Sequence, residues 1–393
     1  MIYIHIPYCR SFCTYCDFYS EIADECCGKA EKKGTRPGYE EFAEALAKEI
    51  GLRKGEISKE VNTLYIGGGT PSVLPLSVFT KIVNKLREVG YAGPYDEFTV
   101  EVNPDDIVEK GSSYVEGLLA LGVNRISMGV QSFDDSILRF MNRRHDSATV
   151  KKAYGILEDA GVGNISIDLI FGLPQLSDNQ WTEIIDKALG LSSKGTFPQH
   201  VSSYQLSVEP GSALARMVER GLWSEASEDL CARQYGILCE SLAKAGYHHY
   251  EISNFAKPGY EAMHNGAYWR HVPYAGFGPG AHSFIINGRE AVRKWNLPDL
   301  RGYISNQEDI QEYEVLTDEQ LVLERVMLGL RTSEGISESY LREHCAPHEL
   351  SNAIASGNLV PIIKDSQSPQ NVSNLRIPEE KFFVSDTIIA SLL

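Results

Sequence analysis

Cys9, Cys13 and Cys16 sit on one short segment, separated by three and then two residues, and no other feature narrows the fold as far. They follow directly on the apolar run Met1 to Ile6, which Pro7 ends. A strand that stops at a proline and hands over to three thiols forms a loop able to enclose a compact metal centre. Structural zinc takes four closed ligands, usually as two separated pairs, whereas three close thiolates with no local fourth suit a [4Fe-4S] cube that keeps one iron open. Buried or disulfide-bonded cysteines are the plainer alternative, but a free core cysteine needs no neighbours at fixed offsets.

The chain's 393 residues exceed what one hydrophobic core ordinarily organises, roughly 250 to 300 residues, so two units are predicted. No apolar run approaches membrane-spanning length, and the N-terminus opens as a strand instead of a basic region followed by a cleavage site. The cytoplasm is the predicted location. Cys26, Cys27, Cys231, Cys239 and Cys345 are scattered, which fits a reducing compartment better than a disulfide framework. With 37 basic and 53 acidic side chains the formal charge is −16, which opposes any broad phosphate-binding surface and argues against a nucleic-acid partner.

Strand-like apolar runs centre near Tyr3, Tyr65, Thr99, Ser127, Ile167 and Tyr204. Between them Glu40 to Gly51, Leu76 to Val89, Gly117 to Leu121, Thr149 to Ala160 and Gln180 to Leu191 read as amphipathic helices. This alternation predicts an α/β fold built on a parallel sheet, and six strand-plus-helix units predict an incomplete (β/α)6 barrel of the TIM type. The predicted barrel spans residues 1–245. The first interval is lengthened by an insert, Glu21 to Gly38, whose composition reads as a solvated loop despite the vicinal pair Cys26 and Cys27.

Reactive groups of a parallel barrel gather where its strands end, so the residues closing each run form one candidate set. The second run is followed by Gly67-Gly68-Gly69-Thr70-Pro71-Ser72, where missing Cβ atoms let backbone groups approach a ligand. Glu101 closes the third run with a carboxylate suited to a ribose hydroxyl or an ammonium, and Gln131 closes the fourth. Twelve residues after Gln131, Arg143 offers a fork for a carboxylate. Asp168, inside the apolar stretch Ile165 to Ile170, must find a partner or face a cavity.

The cysteine triad resembles the signature of the radical S-adenosylmethionine (SAM) superfamily. Tyr3-Ile4-His5-Ile6-Pro7-Tyr8-Cys9, the Gly67 to Ser72 loop, Glu101-Val102-Asn103-Pro104, Gly129-Val130-Gln131-Ser132-Phe133 and Asp168 through Pro174 together resemble the oxygen-independent coproporphyrinogen III oxidase family. The resemblance implies a radical SAM barrel in which Cys9, Cys13 and Cys16 hold the [4Fe-4S] cluster. It further implies that Tyr3, Gly68, Gly69, Thr70, Glu101, Gln131, Arg143 and Asp168 contact SAM. His5 shares a strand face with Tyr3 by alternation, and no role follows for it.

Residues 246–313 form a predicted barrel-closing region. They include three stretches dense in glycine and aromatics: Tyr250 to Phe255, His264 to Trp269 and Tyr274 to Ser283. Such a surface suits a lid over a flat conjugated ligand, and a neutral imidazole can ligate haem iron. The family's oxidases carry a fourth cysteine two residues past the third and a long segment before the cluster. Here Phe18 takes that position and only eight residues precede Cys9. His264-Asn265-x-x-Tyr268-Trp269 resembles instead the family's HemW-type haem chaperones, which implies haem as cargo, haem-accepting apoproteins as partners and a cluster-dependent dimer. His264, Tyr268 and Trp269 are the candidate haem contacts. The alternative is radical oxidation of coproporphyrinogen III.

Residues 314–393 read as a winged-helix-like module packed against the barrel mouth. Helices are predicted over Glu319 to Gly329 and Ser337 to His344, strands over Leu359 to Ile363 and Asn374 to Ile377, and a last helix over Val384 to Leu393.

Overall fold

The computed structural model describes residues 1–22, 38–195, 197–288, 290–305, 310–362 and 374–393. The insert cysteines Cys26 and Cys27 lie outside the described residues.

Strict alternation along the strands decides the architecture. The chain begins with β1 (Ile2–Ile6) and a small parallel pair, β2 (Tyr8–Cys9) with β3 (Glu21–Ile22). Then come α1 (Tyr39–Arg53), β4 (Thr63–Gly68), α2 (Leu76–Glu88), β5 (Glu97–Val102) and α3 (Pro104–Ala120). β6 (Arg125–Gln131), α4 (Asp135–Phe140), α5 (Ser147–Asp159), β7 (Ile165–Phe171), α6 (Asp178–Leu189) and β8 (His200–Gln205) follow. β1, β4, β5, β6, β7 and β8 pair side by side, all parallel, at the six places the sequence predicts.

Along β1 and β5 to β7 every second residue is apolar and joins the main core, as do Leu64 and Ile66 of β4 and Val201 of β8. Ile2, Ile4, Ile6, Leu64, Ile66, Phe98, Val100, Ile126, Met128, Ile165 and Ile167 are buried with Phe42, Phe79, Leu118, Leu157 and Trp181 of the helices. Most of the remaining strand positions hold polar groups that line the lumen, among them Tyr3, Glu101, Ser127, Asp168 and Ser202, with Ile170 an apolar exception. Barrels of this kind ordinarily fill that space with branched aliphatics, so a polar lumen is a surface kept for a ligand.

Three strands beyond residue 245 enlarge the sheet. After α7 (Ala213–Glu219) and α8 (Glu228–Lys244), β10 (Asn254–Ala256) pairs antiparallel with β8 and β9 (His248–Glu251) antiparallel with β10, while β11 (Ala275–Phe277) adds to β1 in parallel. The nine strands run β11-β1-β4-β5-β6-β7-β8-β10-β9. Glu49 of α1 fixes β11 in place: it pairs with Arg53 and accepts from Gly278 N (2.9 Å), Asn296 Nδ2 (2.8 Å) and the Tyr303 hydroxyl (2.6 Å). Between β10 and β11 lies α9 (Met263–Trp269), whose first amides, Met263 N and His264 N, donate to Glu97 at the start of β5 (2.7 and 3.2 Å). α9 therefore sits at the barrel base, opposite the cysteine loop.

One predicted helix is longer than its sequence pattern. α3 begins at Pro104, not Gly117, because Asp105 and Asp106 suit a helix first turn, and Gly111 breaks it in the left-handed region (φ +69°). β12 (His282–Asn287), β13 (Glu290–Asn296) and β14 (Gln311–Leu316) make an antiparallel meander, with α10 (Leu300–Ser305) between the last two.

The tail is a helix-and-ribbon unit of the predicted kind: α11 (Asp318–Gly329), β15 (Ile336–Ser337), α12 (Glu338–His344), α13 (Pro347–Ala355), β16 (Val360–Ile362), β17 (Asn374–Arg376) and α14 (Ser385–Ala390). None of its described residues lines the mouth cavity. Phe382 and Phe383 pack on His249 and Tyr235, Ser333 N donates to Tyr250 O (2.9 Å), and α11 meets α9. Tail docking therefore follows aromatic burial on α8 and β9. Among the described residues no helix is long and apolar enough to cross a membrane.

Candidate functional site

The cysteine loop is closed at its base by Glu21 N donating to Pro7 O (2.8 Å). It is tied to the barrel rim by Thr14 N to Met141 O (3.2 Å), Leu214 N to Thr14 O (2.8 Å) and Asn142 Nδ2 to Phe12 O (2.7 Å). Cys9, Cys13 and Cys16 are free thiols, partly buried, that line one cavity of about 670 Å³. Cys9 Sγ lies 3.3 Å from Thr70 Oγ1, and Arg143 Nη1 donates to Cys13 Sγ (3.4 Å). Among the described residues no three His, Cys, Asp or Glu side chains converge as a single metal ion requires. Three free thiols on one loop around a shared cavity are a donor set that fits a cluster, whose ligands spread around its corners. Burial pushes the Cys16 thiol up to about 12 and raises that of Cys9, so a cationic centre is needed to make thiolates of them.

The glycine loop joins this mouth to the sheet. Gly69 N donates to Ile6 O (2.8 Å) and Thr70 N to Tyr8 O (2.7 Å), which carries strand pairing up into the cysteine loop. A Cβ on Gly68 (φ +109°) would stand 2.6 Å from His5 Nδ1, and one on Gly69 would stand 2.7 Å from Tyr8 O. Neither position admits a side chain. His5, left without a role by the sequence, holds this corner: its Nδ1 meets the Tyr3 hydroxyl (3.0 Å) and its Nε2 meets Tyr19 O (2.8 Å).

Glu101 accepts from the Tyr65 hydroxyl (2.6 Å) and Gly68 N (3.2 Å). Burial, outweighing those bonds, pushes its carboxyl up to about 7, and burial likewise pushes Asp168 up to about 6. The Ser127 hydroxyl donates to Asp168 (3.3 Å). Arg143 is held by Asn103 Oδ1 and Gly129 O, both at 2.7 Å. Gln131 adopts φ +67° at a register shift in β6, a strained conformation for a residue with a side chain. Tyr3, Gly68, Gly69, Thr70, Glu101, Gln131, Arg143 and Asp168 thus line the same cavity as the three thiols.

His264 and Tyr268 line that cavity as well, near its base, and Trp269 does not. His264 is 1% exposed, with Nδ1 2.8 Å from Thr63 Oγ1 and Nε2 3.1 Å from the Tyr268 hydroxyl. Burial drops its imidazole to about 3, so the ring is neutral.

Comparison with known proteins follows the same lines. Residues 3–188 match the family model described as Radical SAM superfamily. A "Heme chaperone HemW" from Synechocystis sp. is 33% identical over 86% of this chain and 79% of its own length. The protein of the same name from Lactococcus lactis subsp. lactis is 35% identical over 85% and 82%. The chain belongs to the HemW family. A mitochondrial "Radical S-adenosyl methionine domain-containing protein 1" from Danio rerio is also similar, at 31% identity over 86% of this HemW-family chain and 74% of its own length. Among solved structures, the coproporphyrinogen III oxidase HemN of Escherichia coli superposes with a TM-score of 0.76 over 99% of this chain and 89% of its own, at 20% identity, which establishes a shared radical SAM fold.

Several lumen residues of this HemW-family barrel escaped the sequence reading: Tyr65, Arg125, Ser127, His200, Ser202 and Tyr204. Attention there went to the residues closing each run, with Tyr3 and Asp168 as the two taken from within a strand. The signal that finds the others is period-two polarity, as in Arg125-x-Ser127-x-Gly129 and His200-x-Ser202-x-Tyr204, which continues down to the strand starts.

Proposed function

We propose that this protein is a haem chaperone, which binds haem and passes it to acceptor apoproteins. The observation that carries the reading is its similarity to proteins named heme chaperone over about four-fifths of their length. Within the proposal, Cys9, Cys13 and Cys16 hold a [4Fe-4S] cluster, and Tyr3, Gly68, Gly69, Thr70, Glu101, Gln131, Arg143 and Asp168 hold SAM against it. When bound, such a pair supplies one-electron chemistry at a sulfonium.

The chain's own residues have separable parts in this arrangement. The two glycines let backbone amides and carbonyls approach the cofactor, Glu101 accepts hydrogen bonds from it, and Arg143 lends positive charge beside Cys13. Haem contacts are assigned to His264, Tyr268 and Trp269. In the tautomer whose Nδ1–H donates to Thr63, the His264 Nε2 lone pair faces the Tyr268 hydroxyl and would be the atom offered to a haem iron. The assigned units are the barrel over 1–245, its closing region over 246–313 and the tail over 314–393. Location in the cytoplasm, haem-accepting apoproteins, a cluster-dependent dimer and the absence of a nucleic-acid partner belong to the same reading.

The second reading, anaerobic oxidation of coproporphyrinogen III, draws on the fold shared with HemN. Against it, the position of the oxidases' fourth cysteine is held by Phe18, which is 67% exposed at the cavity rim. Haemin titration of anaerobically reconstituted protein, with and without SAM, tests the proposal. A saturable Soret band at about one haem per chain supports it, and binding no better than to an unrelated acidic protein removes it.

A further inference from the structure

Arg125 is a buried lumen cation that neither the cluster nor the cofactor assignment uses. It opens β6, beside Thr99 of β5, whereas Gln131 closes the same strand at the mouth. Six residues at about 3.3 Å each separate the two, so Arg125 lies on the order of 20 Å below the cysteine loop. Its side chain is 3% exposed and lines the cavity.

The guanidinium is poorly satisfied by the protein. Its Nε has no hydrogen-bond partner, and Nη1 reaches Thr99 Oγ1 only at 3.5 Å. Among the described residues no carboxylate oxygen forms an ion pair with it within 4.0 Å; the neighbouring Glu97 is engaged by Met263 N, His264 N and the Thr99 hydroxyl. Glu101 and Asp168 share the lumen and feel the charge of Arg125 without bonding to it, so the guanidinium keeps hydrogen-bonding capacity that the protein leaves unfilled and that is costly to bury.

We propose that the barrel base is a second ligand site, for a small organic monocarboxylate gripped by Arg125. The guanidinium fork matches a carboxylate in two parallel hydrogen bonds. A singly charged group matches the fork, whereas a phosphate dianion would bring a second negative charge toward Asp168 and Glu101. Ser202, Asn254 and Asn265 line the same cavity and are neutral, so they set no charge against the ligand; both amides also donate to Glu251. The inference does not rest on the haem reading, because nothing in it involves a porphyrin.

The test uses the anaerobically reconstituted holoprotein and radiolabelled propionate as probe, by equilibrium dialysis at pH 7.5. Saturable binding of one propionate per chain is expected, at least tenfold weaker in Arg125→Gln, intermediate in Arg125→Lys, and not displaced by inorganic phosphate. Absence of saturable binding, unchanged affinity in a folded Arg125→Gln variant with wild-type iron content, or equal displacement by phosphate overturns the proposal. Should Arg125→Gln not fold, the wild-type protein decides: the ¹H–¹⁵N resonance of a buried arginine Nε must shift as propionate is added, and a spectrum that does not change overturns the site.

Discussion

Replacing Glu101 by glutamine isolates the electrostatic cost of the polar lumen. In the folded chain its carboxyl is pushed from 4.5 up to about 7, chiefly by burial, with the Tyr65 and Gly68 hydrogen bonds working the other way. A carboxyl whose folded value is the higher one binds its proton more tightly when folded. Its contribution to stability is full below about pH 4.5 and is lost as pH rises through about 7. A shift of about 2.5 units at 1.36 kcal/mol each corresponds to about 3 kcal/mol lost by wild type across that window. Glu101→Gln has no such titration, although it exchanges one acceptor oxygen for an amide facing Gly68 N and gives up about 1 kcal/mol of hydrogen bonding at every pH. Urea unfolding of both proteins, cluster-free and without SAM, at pH 5 and pH 8 is the assay. The variant should gain on wild type by about 2 to 3 kcal/mol between the two values, while its SAM affinity falls. A stability difference that stays constant within about 0.5 kcal/mol would refute the claim that a desolvated carboxyl sits at this position.

Other outcomes follow from the same geometry. Gly69→Ala places a methyl against Tyr8 O and should cost about 1 to 3 kcal/mol in chemical denaturation and weaken iron retention by the adjoining cysteine loop. Serine at Cys9, Cys13 and Cys16 together should abolish the roughly four irons per chain expected after anaerobic reconstitution of wild type, measured by iron and sulfide analysis. His264→Ala should lose or shift the Soret band formed with haemin, and it should also lower stability by roughly 2 kcal/mol or more, because the buried Thr63 and Tyr268 hydroxyls lose their common partner.

How much of this is legible in the sequence depends on the range of the interaction. Local alternation of apolar residues marked all six parallel strands, and ends of those strands marked the residues that gather around the thiols. The added strands were not legible because their pairing is remote: Tyr3 of β1 stands beside Gly276 of β11, and Phe255 of β10 beside Val201. Three- and four-residue strands carry too little periodicity to register alone. α13 was missed for the same reason of length, with Pro347 as the one cue to its first turn. His5 illustrates a different gap. Its role depends on Gly68 having no side chain and on Tyr19 returning above it, two facts that no local pattern contains.

The decisive comparison supplies the reduced, reconstituted protein with SAM and offers it haem and coproporphyrinogen III in parallel, under strict exclusion of oxygen. The account expects retained haem that can be passed to an added apoprotein, with coproporphyrinogen III left unconsumed. Consumption of coproporphyrinogen III with release of 5′-deoxyadenosine, and no retained haem, would contradict it.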